Sequence, residues 1–171
     1  DSDKIECNAL GQVTQIGFDS DLVGQSIPRD LALLGSSLEE LNFSYNNFRG
    51  SIPTQIGMLT KLQTLRLDGN DLSGVVPTEV GQLTNLKYLW LQVNRLSGQV
   101  PSELGNLSQL ETLYLDRNDL TGAMPEEVCL LRTPDGTLSV LYTDCKEEVQ
   151  CDCCTVCCVD DSILGSICTE I

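Results

Sequence analysis

The sequence contains no histidine, few aromatic residues and few basic residues. Its 171 residues include 10 Lys and Arg against 25 Asp and Glu, which gives a formal net charge of −15. Without imidazole, the chain lacks Ser-His-Asp and Cys-His catalytic groups and any His-ligated metal site. A Gly-rich phosphate loop and a nucleophile elbow are also missing, so we expect no enzyme and no cofactor. The acidic balance argues against nucleic acid and anionic membrane surfaces, which are bound mainly through Lys and Arg.

Long apolar runs are absent as well. No stretch of about 18 apolar residues occurs, so we expect no transmembrane segment in this chain. The composition nevertheless supports a folded core, because 41% of the residues are hydrophobic and only 20% are charged. The length suits one domain, or one domain with a small appendage.

The sequence does contain an internal repeat with a spacing of 24 residues. Four successive units open with the same alternation of leucines, at Ser37, Lys61, Asn85 and Gln109. An asparagine, a glycine and a proline recur at fixed places in the units: Asn46, Asn70, Asn94 and Asn118; Gly50, Gly74, Gly98 and Gly122; Pro53, Pro77, Pro101 and Pro125. A degenerate unit precedes them from Val13, and a truncated unit follows from Leu138.

The alternation of leucines predicts a short strand in each unit, with every second side chain turned inward. One unit cannot bury its apolar edge alone, so stability comes from contacts between stacked neighbours. The recurrent asparagine suits this arrangement, because its amide can both donate hydrogen bonds to the backbone and accept them. These recurring residues therefore predict a scaffold rather than a ligand site.

The pattern resembles that of the plant-type leucine-rich repeat family, L-x-x-L-x-L-x-x-N-x-L-x-G-x-I-P-x-x-L-G, from about Gly11 to Val128. The resemblance implies an α/β leucine-rich repeat solenoid, a curved right-handed superhelix. A parallel sheet would form its concave face, and short helical turns its convex face. About five full repeats plus caps are implied. The corresponding division is a remnant N-terminal cap (1–12), a repeat array (13–128) and a Cys-rich C-terminal cap (129–171).

The variable positions inside each strand motif differ in chemistry from unit to unit. The residue between the last two apolar positions points away from the core, and across the stack these are Gly17, Asn42, Arg66, Trp90, Tyr114 and Tyr142. Trp and Tyr at such positions supply contact area and still form hydrogen bonds. We therefore predict a ligand-binding stripe on the concave face, made of Arg66, Tyr88, Trp90, Tyr114, Arg117 and Tyr142. The alternative is cross-strand packing that only stiffens the solenoid.

An acidic row follows the strands, at Asp19, Asp68, Asp116 and Asp144. Its spacing is regular only because the repeat is regular, and it lacks the dense oxygen cluster of a calcium loop. We expect no metal site in this row.

Eight of the nine cysteines lie near the end of the chain, at Cys129, Cys145, Cys151, Cys153, Cys154, Cys157, Cys158 and Cys168. Two interpretations stay open for them, a disulfide-stapled cap and a thiolate metal cluster. Disulfides are favoured because the segment is too short to build its own core and because eight cysteines can pair completely. With Cys7 the total is odd, which suggests one thiol without a partner, and whether Cys7 is paired stays open. This ending is similar to that of secreted or receptor proteins of diatoms and other unicellular algae.

Two N-glycosylation sequons, at Asn42 and Asn106, fit an extracellular protein. Asn106 falls on an exposed helical turn, whereas a glycan on Asn42 would obstruct the concave face. Together with the resemblance, these features predict a secreted or cell-surface recognition module, such as a receptor or co-receptor ectodomain. Its ligand would be a protein, peptide or carbohydrate on the concave face or edge. A free secreted inhibitor or adhesion protein that binds a wall polymer or a hydrolase is the alternative.

Overall fold

Short strands and single helical turns alternate along the chain. The computed structural model describes residues 4–18, 24–35, 37–132, 136–144, 149–161 and 165–170. Within these ranges the strands are, in chain order, β1 (Lys4–Cys7), β2 (Val13–Gly17), β3 (Glu40–Asn42), β4 (Arg49–Gly50), β5 (Thr64–Arg66), β6 (Asp71–Gly74), β7 (Tyr88–Trp90), β8 (Arg95–Gly98), β9 (Thr112–Tyr114), β10 (Asp119–Leu120), β11 (Gly122–Ala123), β12 (Val140–Asp144), β13 (Val149–Gln150), β14 (Val156–Asp161) and β15 (Gly165–Glu170).

Nine of the described strands form the main sheet, in the order β1-β2-β3-β5-β7-β9-β12-β14-β15. The strands from β2 to β14 run parallel, whereas β1 and β15 pair antiparallel at the two ends. The register aligns one fully buried leucine from each of four neighbouring strands, namely Leu41, Leu65, Leu89 and Leu113. The 24-residue repeat therefore turns the same position of every strand inward, as the leucine alternation predicts.

A second, narrower sheet and a row of helical turns complete each repeat. The second sheet has the order β10-β8-β6-β4, and a separate parallel pair joins β11 to β13. Each helical turn begins directly after a proline, whose ring fixes φ and holds the preceding segment extended. The turns are 3₁₀ helices at Arg29–Leu34, Thr54–Met58, Thr78–Gln82 and Ser102–Asn106, and an α-helix, α1, at Glu126–Leu130. The apolar core lies between these turns and the main sheet, and the turns contribute Ile56, Val80, Leu104 and Val128 to it.

The recurring asparagines join neighbouring repeats through their amides. Asn94 donates hydrogen bonds to the carbonyl oxygens of Leu67 at 2.9 Å and Leu91 at 3.0 Å. The same amide accepts a hydrogen bond from the backbone N–H of Leu72 at 3.0 Å. The equivalent asparagines on either side repeat this pattern. The side chain thus satisfies backbone groups that the tight turn after each strand leaves without partners.

The two ends of the main sheet are built differently. At the N-terminal end, β1 is an antiparallel edge strand with all four side chains exposed. At the C-terminal end, β12, β14 and β15 continue the main sheet, so the segment predicted as the Cys-rich C-terminal cap is hydrogen-bonded to the repeats. The exposed edge of a parallel sheet offers unpaired N–H and C=O groups, which explains why further strands add to it. The predicted boundary at residue 128 falls inside α1.

Among the described side chains of this C-terminal region, four cysteines form two disulfides. Cys129 pairs with Cys153, and Cys151 pairs with Cys154, with 5.6 Å between the Cα atoms of each pair. Cys7 is free and exposed. Outside the described part of the structure lie Cys145 and the side chains of Cys157, Cys158 and Cys168.

The described part of the chain carries neither a membrane-crossing helix nor a metal-binding cluster of side chains. None of its helices reaches the length and apolar character that a bilayer crossing requires. Among the described side chains, no three Cys, Asp or Glu come together in a group that could hold a metal ion.

Candidate functional site

The parallel register of the main sheet brings four of the predicted binding residues into one row. Arg66 is the register partner of Trp90, Trp90 of Tyr114, and Tyr114 of Tyr142. The leucine before each of them is fully buried, so these side chains lie on the face of the sheet that is turned away from the core. All four are half-buried. We refer to Arg66, Trp90, Tyr114 and Tyr142 as the aromatic stripe.

The rings of the aromatic stripe stack face to face along the row. The centroids of Trp90 and Tyr114 are 5.3 Å apart with an interplanar angle of 24°. Tyr114 and Tyr142 are 4.7 Å apart at 13°. The guanidinium carbon of Arg66 lies 4.2 Å from the centre of the Trp90 ring and covers its other face. Aromatic contacts of this kind contribute about 0.5–1.5 kcal/mol each beyond area burial, so the stripe is a rigid stack.

The other two predicted binding residues flank the aromatic stripe without joining its stack. Tyr88 lies on β7, and its hydroxyl donates a hydrogen bond to Oε2 of Glu111 at 2.9 Å. Arg117 lies beyond the end of β9, and its Nε is 3.9 Å from a carboxylate oxygen of Asp116. The structure therefore gathers four of the six predicted residues and places these two at the margins.

Arg66 connects the aromatic stripe to a buried carboxylate. Its Nε lies 3.4 Å from Oδ1 of Asp68. The Asp68 side chain is buried, and its Oδ2 has no hydrogen-bond partner within the described residues. The ion pair and the contact with Trp90 together hold the guanidinium in one orientation.

Two tyrosines at this face have raised pKa values. The hydrogen bond to Glu111 raises the pKa of Tyr88, and the charge of the same carboxylate adds to the effect. Burial raises the pKa of Tyr114, followed by smaller effects of Tyr142 and Asp116. Because an ordinary tyrosine already titrates near pH 10, both phenols remain neutral at physiological pH and can donate hydrogen bonds.

The acidic row serves the scaffold rather than forming a cluster. Asp68, Asp116 and Asp144 are all buried. The Asp144 carboxylate accepts hydrogen bonds from two backbone N–H groups of the preceding repeat. Asp19 lies outside the described residues.

A second row of outward residues lies just after the strands. Arg117 is the one member of this row that belongs to the predicted site. The backbone there is left-handed in four successive repeats, with φ of 53° at Tyr45, 67° at Gly69, 58° at Val93 and 55° at Arg117. Tyr45 is 66% exposed and Val93 is 39% exposed. A β-branched residue at positive φ is an outlier, because its Cβ is crowded by the backbone. The 24-residue spacing and the glycine in the series were the sequence signals for this row.

The two predicted glycosylation sites have different surroundings. Asn106 ends an exposed helical turn, and its own side chain is exposed. Asn42 lies on β3 next to Arg66. Its Oδ1 accepts hydrogen bonds from the backbone N–H and the hydroxyl of Ser44, at 3.0 and 2.6 Å. The Asn106 side chain therefore stands free, whereas that of Asn42 is engaged within its own sequon.

Two concavities lie at the N-terminal end of the solenoid, away from the aromatic stripe. One has a volume of about 270 Å³, is lined mainly by apolar side chains and includes all three phenylalanines of the chain. The other has a volume of about 760 Å³ and lies between residues 26–30 and 50–55. Neither is lined by a predicted binding residue.

Comparison with known proteins places these features in a family. The model of leucine-rich repeat regions matches residues 34–148. No curated protein matches the sequence. A chain in the BIR3–SERK2 complex from Arabidopsis thaliana is 32% identical, with a TM-score of 0.64, covering 87% of this chain and 79% of that one.

Two further solved structures are similar over most of this chain. The ectodomain of the receptor kinase SOBIR1 from Arabidopsis thaliana is 27% identical, with a TM-score of 0.70, covering 87% of this chain and 82% of its own. The plant peptide hormone receptor RGFR1, in complex with RGF2, is 30% identical, with a TM-score of 0.72. The match covers 86% of this chain but only 25% of that receptor.

The matched residues contain the stacked strands and the proline-initiated turns described above. They also contain Asn46, Asn70, Asn94 and Asn118, whose amides link neighbouring repeats and which we call the asparagine ladder. The family model spans more than half of the chain, and the predicted solenoid is confirmed. The chain belongs to the leucine-rich repeat family.

Proposed function

We propose that this chain is a non-catalytic recognition module, and that the aromatic stripe is the centre of its binding surface. The observation that carries the proposal is the placement of Trp90, Tyr114 and Tyr142 on the outer face of the sheet, stacked and half-buried. Aromatic residues that are held rigid lose little entropy on binding, and they dominate the energy of many protein interfaces. The partner in this proposal is a protein or a peptide.

The similar structures support this proposal and its extracellular setting. RGFR1 is a peptide hormone receptor in complex with RGF2, and the BIR3–SERK2 structure is itself a complex. The SOBIR1 structure is a receptor-kinase ectodomain. The disulfides Cys129–Cys153 and Cys151–Cys154 are also typical of an oxidising, extracellular environment. The proposed role is therefore that of a secreted or cell-surface module, such as the ectodomain of a receptor or co-receptor.

The experiment is a binding screen against peptides and secreted proteins, repeated with Trp90→Ala. We expect Trp90→Ala to weaken binding about tenfold or more, as the loss of a central interface aromatic does. Val75→Ala is the matched control, because Val75 is exposed on the opposite, second-sheet side of the repeat. Unchanged affinity in Trp90→Ala, with a lower free energy of unfolding, would show that the stripe only stiffens the solenoid.

A further inference from the structure

The ring faces in the middle of the aromatic stripe are already covered. Trp90 lies between Arg66 and Tyr114, and Tyr114 lies between Trp90 and Tyr142. A sugar ring that packs on an aromatic side chain needs a free ring face. Trp90 and Tyr114 offer ring edges and polar atoms instead, and this geometry disfavours carbohydrate stacking on these two rings.

The polar atoms of the aromatic rings differ in their hydrogen bonding within the described part of the chain. The Trp90 indole N–H donates to Oγ1 of Thr112 at 2.8 Å. The hydroxyls of Tyr114 and Tyr142, by contrast, form no hydrogen bond with any described residue. Among the described residues, the side-chain atoms that are buried and also lack a hydrogen-bond partner do not include these two hydroxyls. A hydroxyl without a partner that is not in this group is not fully buried. Both are therefore open to solvent and to a ligand.

The stacking sets the distance between these two hydroxyls. Because the rings are 4.7 Å apart and within 13° of parallel, the two oxygens project side by side from neighbouring strands. Strands in a sheet are about 5 Å apart, so we infer a similar spacing for the two oxygens. Two donors at this separation can both reach one carbonyl oxygen between them at about 2.8 Å.

The charges near the two tyrosines favour an acceptor that carries no negative charge. Asp116 follows Tyr114 by two residues, just beyond β9, and Asp144 follows Tyr142 by two residues at the end of β12; both carboxylates are buried. Arg117 lies beside both of them: its Nε is 3.9 Å from a carboxylate oxygen of Asp116, and its backbone N–H donates a hydrogen bond to Asp144. An anionic ligand group would approach these two carboxylates, whereas a neutral carbonyl group meets no such repulsion.

We propose that Tyr114 and Tyr142 form a paired hydrogen-bond donor site for the backbone carbonyl of an uncharged or basic, extended peptide segment. This inference rests on the proposed recognition function and names the ligand class of the same surface. Arg66 and Trp90 are positioning residues in this site, because they hold the tyrosine rings upright from one side of the stack.

The test uses two arrays and four forms of the protein. One array carries peptides with acetylated and amidated ends, in acidic, neutral and basic sets, and the other carries oligosaccharides. The protein forms are the wild type, Tyr114→Phe/Tyr142→Phe, Trp90→Ala and the control Tyr45→Phe. The double variant keeps both rings and the stack and removes only the hydroxyls. We expect the neutral and basic peptides to bind, and the double variant to bind them about tenfold or more weakly. Tyr45→Phe removes an exposed hydroxyl outside the stripe and leaves the affinity unchanged.

Three results would overturn the inference. They are unchanged affinity in Tyr114→Phe/Tyr142→Phe, preference for acidic peptides or oligosaccharides, and absence of saturable binding to neutral and basic peptides. Trp90→Ala separates this failure from failure of the proposed function. If Trp90→Ala loses binding while the double variant keeps it, only the donor pair is wrong. If Trp90→Ala binds as the wild type does, the aromatic stripe is not the binding surface.

Discussion

The carboxylate of Asp144 accepts a hydrogen bond from the backbone N–H of Asn118 at 2.9 Å. Its other oxygen accepts one from the N–H of Arg117 at 2.7 Å. In the preceding repeat, the equivalent N–H groups of Val93 and Asn94 donate to backbone carbonyl oxygens of the next turn, at 3.0 and 3.1 Å. One side chain thus replaces two backbone acceptors at the place where the regular repeats end.

Replacing Asp144 by Ala is expected to lower the free energy of unfolding by about 2–4 kcal/mol, because two backbone N–H groups lose their acceptors. Asp144→Asn keeps one acceptor oxygen and is expected to cost less. Urea denaturation measures both variants. Asp119→Ala is the control, since Asp119 is an exposed carboxylate on β10. A fully stable Asp144→Ala protein would mean that the carboxylate is not needed as an acceptor.

The asparagine ladder gives a second prediction, at Asn94. Asn94→Asp retains an oxygen that can accept from Leu72, but a carboxylate cannot donate to the carbonyl oxygens of Leu67 and Leu91. Its charge also faces those oxygens, so we expect a loss of about 2 kcal/mol or more in the free energy of unfolding. Asn85→Asp is the control, because the Asn85 amide makes an exposed hydrogen bond to the carbonyl oxygen of Thr60. Equal losses in the two variants would argue against the ladder as a source of stability.

The ladder and the leucine core could be predicted from sequence because both follow the 24-residue period. Once the period is known, residues at equal positions must lie side by side on neighbouring strands, as Leu65 and Leu89 do. The same argument from equal positions predicted that the side chains of Trp90 and Tyr114 point away from the core. The repeat therefore contains the information for the register, for the core and for the face on which each side chain lies.

The stacking of Arg66 on Trp90 and the structure of the C-terminal end could not be predicted in this way. The period places Arg66 beside Trp90, but the choice of a stacked guanidinium depends on side-chain rotamers and on the ion pair with Asp68. The 24-residue period of the sequence ends at Asp144. The residue spacing therefore could not predict that β14 and β15 continue the main sheet. Cysteine spacing likewise leaves the pairing undetermined, because eight cysteines can pair in many ways.

The left-handed backbone at Val93 predicts a substitution that raises the free energy of unfolding, whereas the substitutions at Asp144 and Asn94 lower it. Valine at φ 58° is strained, because its branched side chain crowds the backbone. Asparagine tolerates this region, so Val93→Asn is expected to raise the free energy of unfolding by up to about 1 kcal/mol. Val75→Asn is the control, since Val75 is also an exposed valine and its φ is not positive. A loss of stability in both variants would show that packing of Val93 outweighs the strain.

The hydrogen bond between Tyr88 and Glu111 predicts a change in titration. The bond favours the neutral phenol, so the pKa of Tyr88 is higher in the folded chain than in the unfolded chain. Its contribution to stability is therefore complete below the unfolded pKa of about 10 and is lost as the pH rises through the folded pKa. Glu111→Gln removes the charge and is expected to lower the pKa of Tyr88. The ultraviolet absorbance of the phenolate measures the shift, and Tyr88→Phe identifies which of the four tyrosines is responsible. If the curves of the wild type and Glu111→Gln coincide, the carboxylate does not control this phenol, and the hydrogen bond does not persist in solution.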